Sequence, residues 1–424
     1  MRKVQLLQPG IVALLVLSAC SAQPTTSSVD PSSTTRDAGA SLLPVGPGPS
    51  VADAPVACPG GPDDDGDHDG WSAAQGDCND CDPHVNPGAY DVPGNQVDED
   101  CSGDADDEPA TCEGHAADDA LAGARAMGLC RTSTAQTRTW GVLSARWVFP
   151  DGSRASLTPA QKGSLLGPST CVSGGGGEGN PPHPRSHAIL ASFGPNVAPR
   201  DGTSMLALSS GVAQAAAVDQ SPQRAEMCTR SRTPEGFPVS STAACPNQRI
   251  AETTDANDGV ALELEVRAPS NAYGFSFDFD FYTYEYPRYV CTRYNDFFVA
   301  LLDSRHPATP ANKNISFDKQ GNPVSVNNAF VEVCSPGAAG GKSFTCALGR
   351  QELQGTGFDT PANSAATGWL RTKAQIVPGE IFKLRLAVWD MGDEVLDSTV
   401  LLDRFQWVLE PGQATGGTER VTVY

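Results

Sequence analysis

Between residues 62 and 108 the chain carries sixteen carboxylates and no Lys or Arg. So much like charge repels itself apart unless a counter-charge gathers it. The stretch reads PDDDGDHDGWSAAQGDCNDCDPHVNPGAYDVPGNQVDEDCSGDADDE. Its cysteines, its Trp and its Asn-Pro-Gly turn set it apart from an acidic linker with no fold of its own. The whole chain holds 50 acids against 29 bases, a net charge of −21, and outside the stretch 34 acids face 29 bases. The acidity is therefore local and calls for a local cation. A chain without a basic patch is also a poor partner for nucleic acid or anionic headgroups.

The spacing suggests which cation. Asp65, Asp67 and Asp69 alternate and are followed by Gly70, so three carboxylates converge on one point, the glycine permits a sharp turn, and the Trp71 carbonyl comes next. A helix–loop–helix calcium site would need Glu where Gly76 stands, and there is no room for flanking helices. Instead Asp77, Asp80 and Asp82 follow. Hard oxygen donors suit Ca²⁺ better than copper or zinc; His68 and His84 are isolated imidazoles, and the Cys78–Cys81 pair is better spent on disulfides than on zinc. The run resembles the MopE-type metal-binding motif, named after a copper-binding surface protein, and is similar to the calcium-wrapping thrombospondin type 3 repeats. Over about residues 63–108 the first resemblance implies metal contacts from Asp63, Asp65, Asp67 and Asp69. It adds a turn at Asp77, Cys78 and Asp80, an NPGA turn at Asn86 to Ala89, and a closing set of Asp98, Asp100, Cys101, Gly103, Asp107 and Glu108. The chain departs from that pattern at Val92-Pro93 and at Glu99 to Ser102, and Cys81 then stands in as partner of Cys101 or Cys78. The expectation is a segment ordered only when calcium is bound.

The N-terminus supplies an address. Arg2 and Lys3 precede the apolar run Ile11 to Leu17, too short to span a bilayer, and then LSAC ends at Cys20. This resembles a bacterial lipoprotein signal, which implies cleavage after residue 19, acylation of Cys20 and a partner in the membrane through that lipid. The expected location is the cell envelope, at the outer membrane or cell surface. Twelve cysteines remain, an even number that fits disulfides in an oxidising compartment. Cys58, Cys78, Cys81 and Cys101 lie in the acidic segment; loop length suggests Cys112–Cys130, Cys228–Cys245 and Cys334–Cys346. Residues 20–57, rich in Ser, Thr, Pro and Gly, form a tether spanning roughly 30–35 Å. The acidic module occupies 58–110, a β-rich domain 112–410 and a tail 411–424.

Within 112–410 the dominant period is two. Val260, Leu262, Leu264 and Val266 alternate with Ala261, Glu263 and Glu265; Phe275, Phe277, Phe279 and Phe281 alternate with Ser276, Asp278 and Asp280. This predicts half-buried strands with one polar face. Many short strands and no strand–helix alternation predict a mainly β fold, a β-sandwich of jelly-roll type preceded by a small module ordered by disulfides and calcium. One helix is expected near AADDALAGARAMG, with Asp118 and Asp119 at its start. Five ordered blocks, from LSARWVFPDG through FDFDFYTYEYPRYVCTRYNDFFVALL to GEIFKLRLAVWDMGDEVLDSTVLLDRF, resemble the choice-of-anchor L domain of bacterial surface proteins, over about residues 115–410. The resemblance implies export and anchoring but no reaction. Thr283-Tyr284-Glu285-Tyr286 stands where that family has a second carboxylate.

Glu285, Asn295, Asp296, Asp390, Asp393, Asp397 and Asp403 fall at strand ends, where they form either a second metal site or caps on exposed amides. Trp369, Trp389 and Tyr284 are either a binding face or core. Enzyme motifs fail. His183 and His187 sit among prolines, Gly174 to Gly179 precede prolines rather than a helix, and GAAGGKS is a residue short of a phosphate loop. The reading is a non-enzymatic, lipid-anchored, calcium-binding surface protein that engages an extracellular polysaccharide or protein; the alternative is an exported hydrolase of glycans or proteins.

Overall fold

The computed structural model describes residues 59–108, 112, 119–154, 182–215, 227, 229–237, 244–245, 254–328, 330–359, 364–393 and 395–421. All lie within one compact unit, Val51–Tyr424. Cys20, Cys58, Cys171, Cys228, Asp118 and the Gly174 to Gly179 loop fall outside the described residues.

Among the described residues fifteen strands follow one another: β1 (Gly141–Val148), β2 (His187–Leu190), β3 (Met205–Ser209), β4 (Arg230–Arg232), β5 (Asp255–Arg267), β6 (Gly274–Thr283), β7 (Phe297–Asp303), β8 (Val324–Ser325), β9 (Gly337–Ala339), β10 (Lys342–Phe344), β11 (Ala365–Ala366), β12 (Leu370–Gln375), β13 (Ile381–Asp390), β14 (Ser398–Val408) and β15 (Gly417–Arg420). Thirteen of these strands make two antiparallel sheets, and β9 and β10 pair apart as a two-stranded one. One runs β1-β5-β13-β7-β8, with β4 also on β5; the other runs β15-β12-β6-β14-β3-β2, with β11 also on β6. Their facing side chains form one core. Phe275 stacks on Phe382 at 5.4 Å between ring centroids, Phe279 meets Phe298 at 4.9 Å, and the alternating Val260, Leu262, Leu264 and Val266 of β5 lie in the same cluster. The mainly β sandwich expected from the period-two runs is the fold observed.

Successive strands β5, β6 and β7 alternate between the sheets, as do β12, β13 and β14. Register then brings four strand ends to one pole: Ser398 pairs with Thr283 in one sheet, and Trp389 pairs with Phe297 in the other. The short helix α1 (Ala120–Ala126) begins where expected, its Asp119 side chain accepting a hydrogen bond from the Leu121 amide at 3.0 Å. Gly123 lets the helix lie against the Trp147 ring of β1, since a Cβ there would stand 3.0 Å from it.

Three expectations change. The polar face of β6 is not solvent-facing: all ten residues are buried. Asp278 accepts from Arg371 Nε at 2.6 Å, and Asp280 accepts from Tyr282 Oη and Thr367 Oγ1, each at 3.0 Å. Arg371 of the neighbouring strand β12, Thr367 and a second buried cluster around Tyr282 cover this face, and a period-two pattern is blind to such a cover. The chain past residue 410, read as a tail, adds the edge strand β15 against β12. Cys245 pairs with Cys291 rather than Cys228, so a span of 46 residues prevails over the shorter loop; the pairs Cys112–Cys130 and Cys334–Cys346 form as loop length suggested. The GAAGGKS segment is the β9–β10 hairpin, turning at Gly340 and Gly341, both with positive φ. Trp389 and Tyr284 are core residues, and Trp369 packs partly buried against the second core cluster, so these three do not form a binding face.

Candidate metal centre

The acidic module has almost no regular structure beyond a turn of 3-10 helix at Ala73–Gln75. It is built from carboxylates closing short loops on backbone amides. Asp65 accepts from the His68 and Gly70 amides at 2.7 and 2.9 Å; Asp67 Oδ1 accepts from Asp69 N at 3.1 Å, Asp69 Oδ1 from Trp71 N at 2.7 Å, and Asp77 Oδ1 from Asn79 N at 2.8 Å. Asp80 reaches back to the Gly66 amide at 3.0 Å. That approach requires Gly66, because a Cβ there would stand 2.7 Å from the Asp80 carbonyl oxygen.

Asp65 spends both oxygens on these turns, whereas Asp67, Asp69 and Asp77 each use one. Asp67 Oδ2, Asp69 Oδ2, Asp77 Oδ2 and Asn79 Oδ1 are buried and have no hydrogen-bond partner. Asp67, Asp69 and Asp77 form a triad whose ligand atoms lie within 4.8 Å of one another, and Asp65, Asp67 and Asp80 form a second such triad sharing Asp67. Oxygens 2.3–2.6 Å from a common calcium ion are separated by at most about 5 Å, so the donor set fits a hard cation. Without one the arrangement is costly. Burial, opposed by the Trp71 amide and reinforced by the charges of Asp67, Asp77 and Asp65, pushes Asp69 up to about 6. Burial likewise raises Asp67 and Asp77 above the usual carboxylate range.

The remaining acids expected at a metal stand elsewhere. Asp63 is exposed, and Asp82 accepts from the His84 amide and faces its ring at 3.2 Å. Trp71 gives its amide to Asp69 while its ring lies under the Arg138 guanidinium, 4.1 Å from the ring centroid. Asp98 takes the Ser102 and Gly103 amides at 3.0 and 2.9 Å. Asp100 is paired with Arg131 at 2.8 Å, as is Glu108 at 2.7 Å. Asp107 receives the Ser102 hydroxyl at 3.3 Å and gives its amide to Asp91. The second half of the module is thus closed by amides and by one arginine from outside the acidic block, which corrects the expectation that the sequence holds no neutralising partner. Cys78 bonds to Cys101, not to Cys81; Cys81 is also disulfide-bonded, and none of the other described cysteines is its partner. The sequence reading missed Asn79 as a donor, although the spacing Asp77-x-Asn79 continues the same alternation.

The module is docked rather than free. Ser270 Oγ donates to Asn86 Oδ1 at 2.7 Å, and Asn271 exchanges two hydrogen bonds of 2.9 Å with the Tyr90 backbone. Arg138 Nη2 donates to the Gly70 carbonyl at 2.6 Å. Two clefts open along this seam. One, of about 320 Å³, includes Tyr90, Arg125, Trp140, Asp403 and Trp407 in its walls; the other, of about 420 Å³, runs beside Asp69, Trp71, His84 and Tyr273.

The second expected cluster is at the pole where β6, β7, β13 and β14 end. Glu285, Asn295, Asp296, Asp390 and Asp397 are buried there, with Asp393 partly exposed. Asp296 bridges the sheets: Oδ1 accepts from the Met391 amide at 3.2 Å, Oδ2 from Ser398 Oγ at 2.6 Å, and its own amide donates to Glu285 Oε2 at 3.1 Å. Asp403 lies apart from this cluster, at the bulge in β14, accepting from the Arg200 and Arg404 amides at 2.5 and 2.6 Å.

Two family matches fall within the chain, each narrower than the resemblance read from the sequence. Residues 202–406 match the choice-of-anchor L domain, and residues 77–107 match the family described as "Putative metal-binding motif". The alternating loop of Asp65, Asp67 and Asp69 lies just upstream of the second match. None of the curated proteins and none of the solved structures matches the chain. The domain points to a surface-associated protein and the motif to a metal-binding segment. The chain therefore carries a choice-of-anchor L domain, folded as a β-sandwich, behind a metal-binding motif of the MopE type.

Proposed function

We propose that this is a lipid-anchored surface protein in which a calcium ion, bound by Asp67, Asp69, Asp77 and Asn79, locks the acidic module against the sandwich and fixes the seam between them for binding. The observation that carries the reading is the set of four buried oxygens with no partner, all within thirteen residues of sequence. Their hardness favours Ca²⁺ over copper or zinc. The Gly70 carbonyl, held by Arg138, and Trp71, stacked beneath it, are the mechanical link from the ion loop to the larger domain. The wall of aromatic and charged groups at the 320 Å³ cleft suits a polysaccharide or a peptide. Attachment would be through acylated Cys20, with the tether setting the reach.

Calorimetry of the intact, oxidised chain with calcium tests the central part. Micromolar-range or tighter binding that vanishes in a D67N/D77N variant supports the reading. Binding of copper or zinc in preference to calcium, or calcium binding untouched by that variant, refutes it. Metabolic labelling with palmitate, lost in Cys20→Ser, tests the anchor separately.

A further inference from the structure

At the pole of the sandwich, Glu285 follows β6, Asn295 and Asp296 precede β7, Asp390 ends β13 and Asp397 precedes β14. No Lys or Arg among the described residues forms an ion pair with Glu285, Asp296 or Asp390. Some buried carboxylates in this domain are answered by a base, as Asp278 is by Arg371 and Arg200 and Glu380 by Arg305, and others by hydroxyls or amides, as Asp280 and Asp403 are. The pole differs in gathering several buried acids around atoms that have neither. Two independent atoms mark what is missing. Asp390, 1% exposed, has an Oδ2 that is buried and without a hydrogen-bond partner, although Asp296, Glu285, Asp393 and Asp397 all act on it electrostatically. Asn295, 3% exposed, has its carbonyl oxygen Oδ1 in the same condition. Asp390 is hydrogen-bonded to Asp296, the residue next to Asn295, and a carboxylate oxygen and an amide oxygen are calcium ligands by type.

We propose that the pole holds a second, buried divalent-cation site, formed by Glu285, Asp296, Asp390 and Asp397 with Asn295 Oδ1 as the neutral donor. The site stitches the two sheets together at the ends of four strands. Its carboxylates do not converge as closely as those of the Asp67 loop, which is where the tightest acidic triads of the described residues lie. An ion that keeps one or two waters fills such a space, as calcium commonly does. Gly211 fits the arrangement, because a Cβ there would stand 2.0 Å from Asp397 Oδ2. Without an ion, burial, reinforced by the charges of Asp296, Glu285, Asp393 and Asp397, pushes Asp390 well above the usual carboxylate range, and burial pushes Asp296 up to about 7.

The test separates this site from the loop site. A D69N/D77N variant of the intact oxidised chain removes two loop ligands and leaves the pole intact. It is titrated with calcium by calorimetry, and with terbium by luminescence sensitised through Trp389, the neighbour of Asp390. The expected result is one retained equivalent of calcium with terbium emission, both lost when Asp390→Asn is added, and an affinity at least tenfold weaker when Glu285→Gln is added instead. Should D390N prevent folding, the E285Q arm decides alone. If the loop-disabled protein retains no calcium, or retains one that neither D390N nor E285Q weakens, the proposal is wrong. It is equally wrong if D390N stabilises the protein by the same shift with and without calcium, since the acids then share protons rather than a metal. A wild type that binds calcium only through the loop would leave the proposed function standing while removing this second site.

Discussion

Replacing Asp69 by Asn should change the sign of its effect on stability when calcium is added. In the metal-free protein Asp69 is pushed from 3.8 up to about 6. At 1.36 kcal/mol for each pH unit that is about 3 kcal/mol, which partial exposure of the side chain and solvent screening reduce to ~1 kcal/mol. A raised carboxylate pKa means that the folded state holds the proton more tightly than the unfolded chain. The associated stability is therefore present below the ordinary value of 3.8 and lost as pH rises through about 6. At pH 7 the neutral Asn avoids the deficit and keeps an oxygen for the Trp71 amide, so D69N without calcium should be ~1 kcal/mol more stable than wild type. Calcium at a hundred times its dissociation constant stabilises wild type by about 2.7 kcal/mol, and a variant lacking a charged ligand forgoes most of that. With calcium, D69N should then be roughly 1.5–2 kcal/mol less stable. Urea unfolding at pH 7 in chelator and in excess calcium reads both arms, and repetition at pH 5 should shrink the chelator arm. If D69N destabilises equally in both, Asp69 serves only as a hydrogen-bond acceptor and the metal account of the loop fails.

Arg131→Met should cost about 2 kcal/mol, because it leaves Asp100 and Glu108 without their cation; Asp100 and Glu108 are both nearly closed off, at 4% and 6% side-chain exposure. Differential scanning calorimetry should show the loss relieved as pH falls and Glu108, which burial holds above the usual carboxylate range, takes up a proton. Phe279→Ala, at the contact with Phe298 between the sheets, should cost about 3–5 kcal/mol in urea unfolding. Replacing both Cys245 and Cys291 by Ser opens a span of 46 residues and should lower stability by roughly 4 kcal/mol, whereas the 12-residue Cys334–Cys346 span should cost about 3 kcal/mol.

Much of this molecule is written in local pattern. The alternation of β5 and β6 encodes strands, and Asp119 before an Ala-rich run encodes the helix start. The alternating Asp65, Asp67 and Asp69 encode successive side-chain turns, in which Asp67 and Asp69 each satisfy one oxygen and leave the other without a partner. What escaped the sequence reading is set by distant residues. Asp100 looks like a ligand until Arg131, 31 positions away, arrives beside it. The outward face of β6 looks solvated until Thr367, Arg371 and Glu352 cover it. Strand β15 carries no apolar alternation in GTER and exists because β12 offers an edge, pairing Leu370 with Arg420. Cys245 lies nearer in sequence to Cys228 than to Cys291, yet chain distance weighs only logarithmically against the geometry of the fold.

Amide hydrogen exchange over residues 61–82, in calcium and in chelator, tests the central claim most directly. The amides of Gly66, Asp69, Gly70, Trp71 and Asn79 are held by side chains of the proposed ion loop. Exchange there at least tenfold slower in calcium, with the core strands β6 and β13 unchanged, is the predicted result. Equal protection in both conditions would mean that the loop holds itself together, and that no cation is needed to gather sixteen carboxylates into a fold.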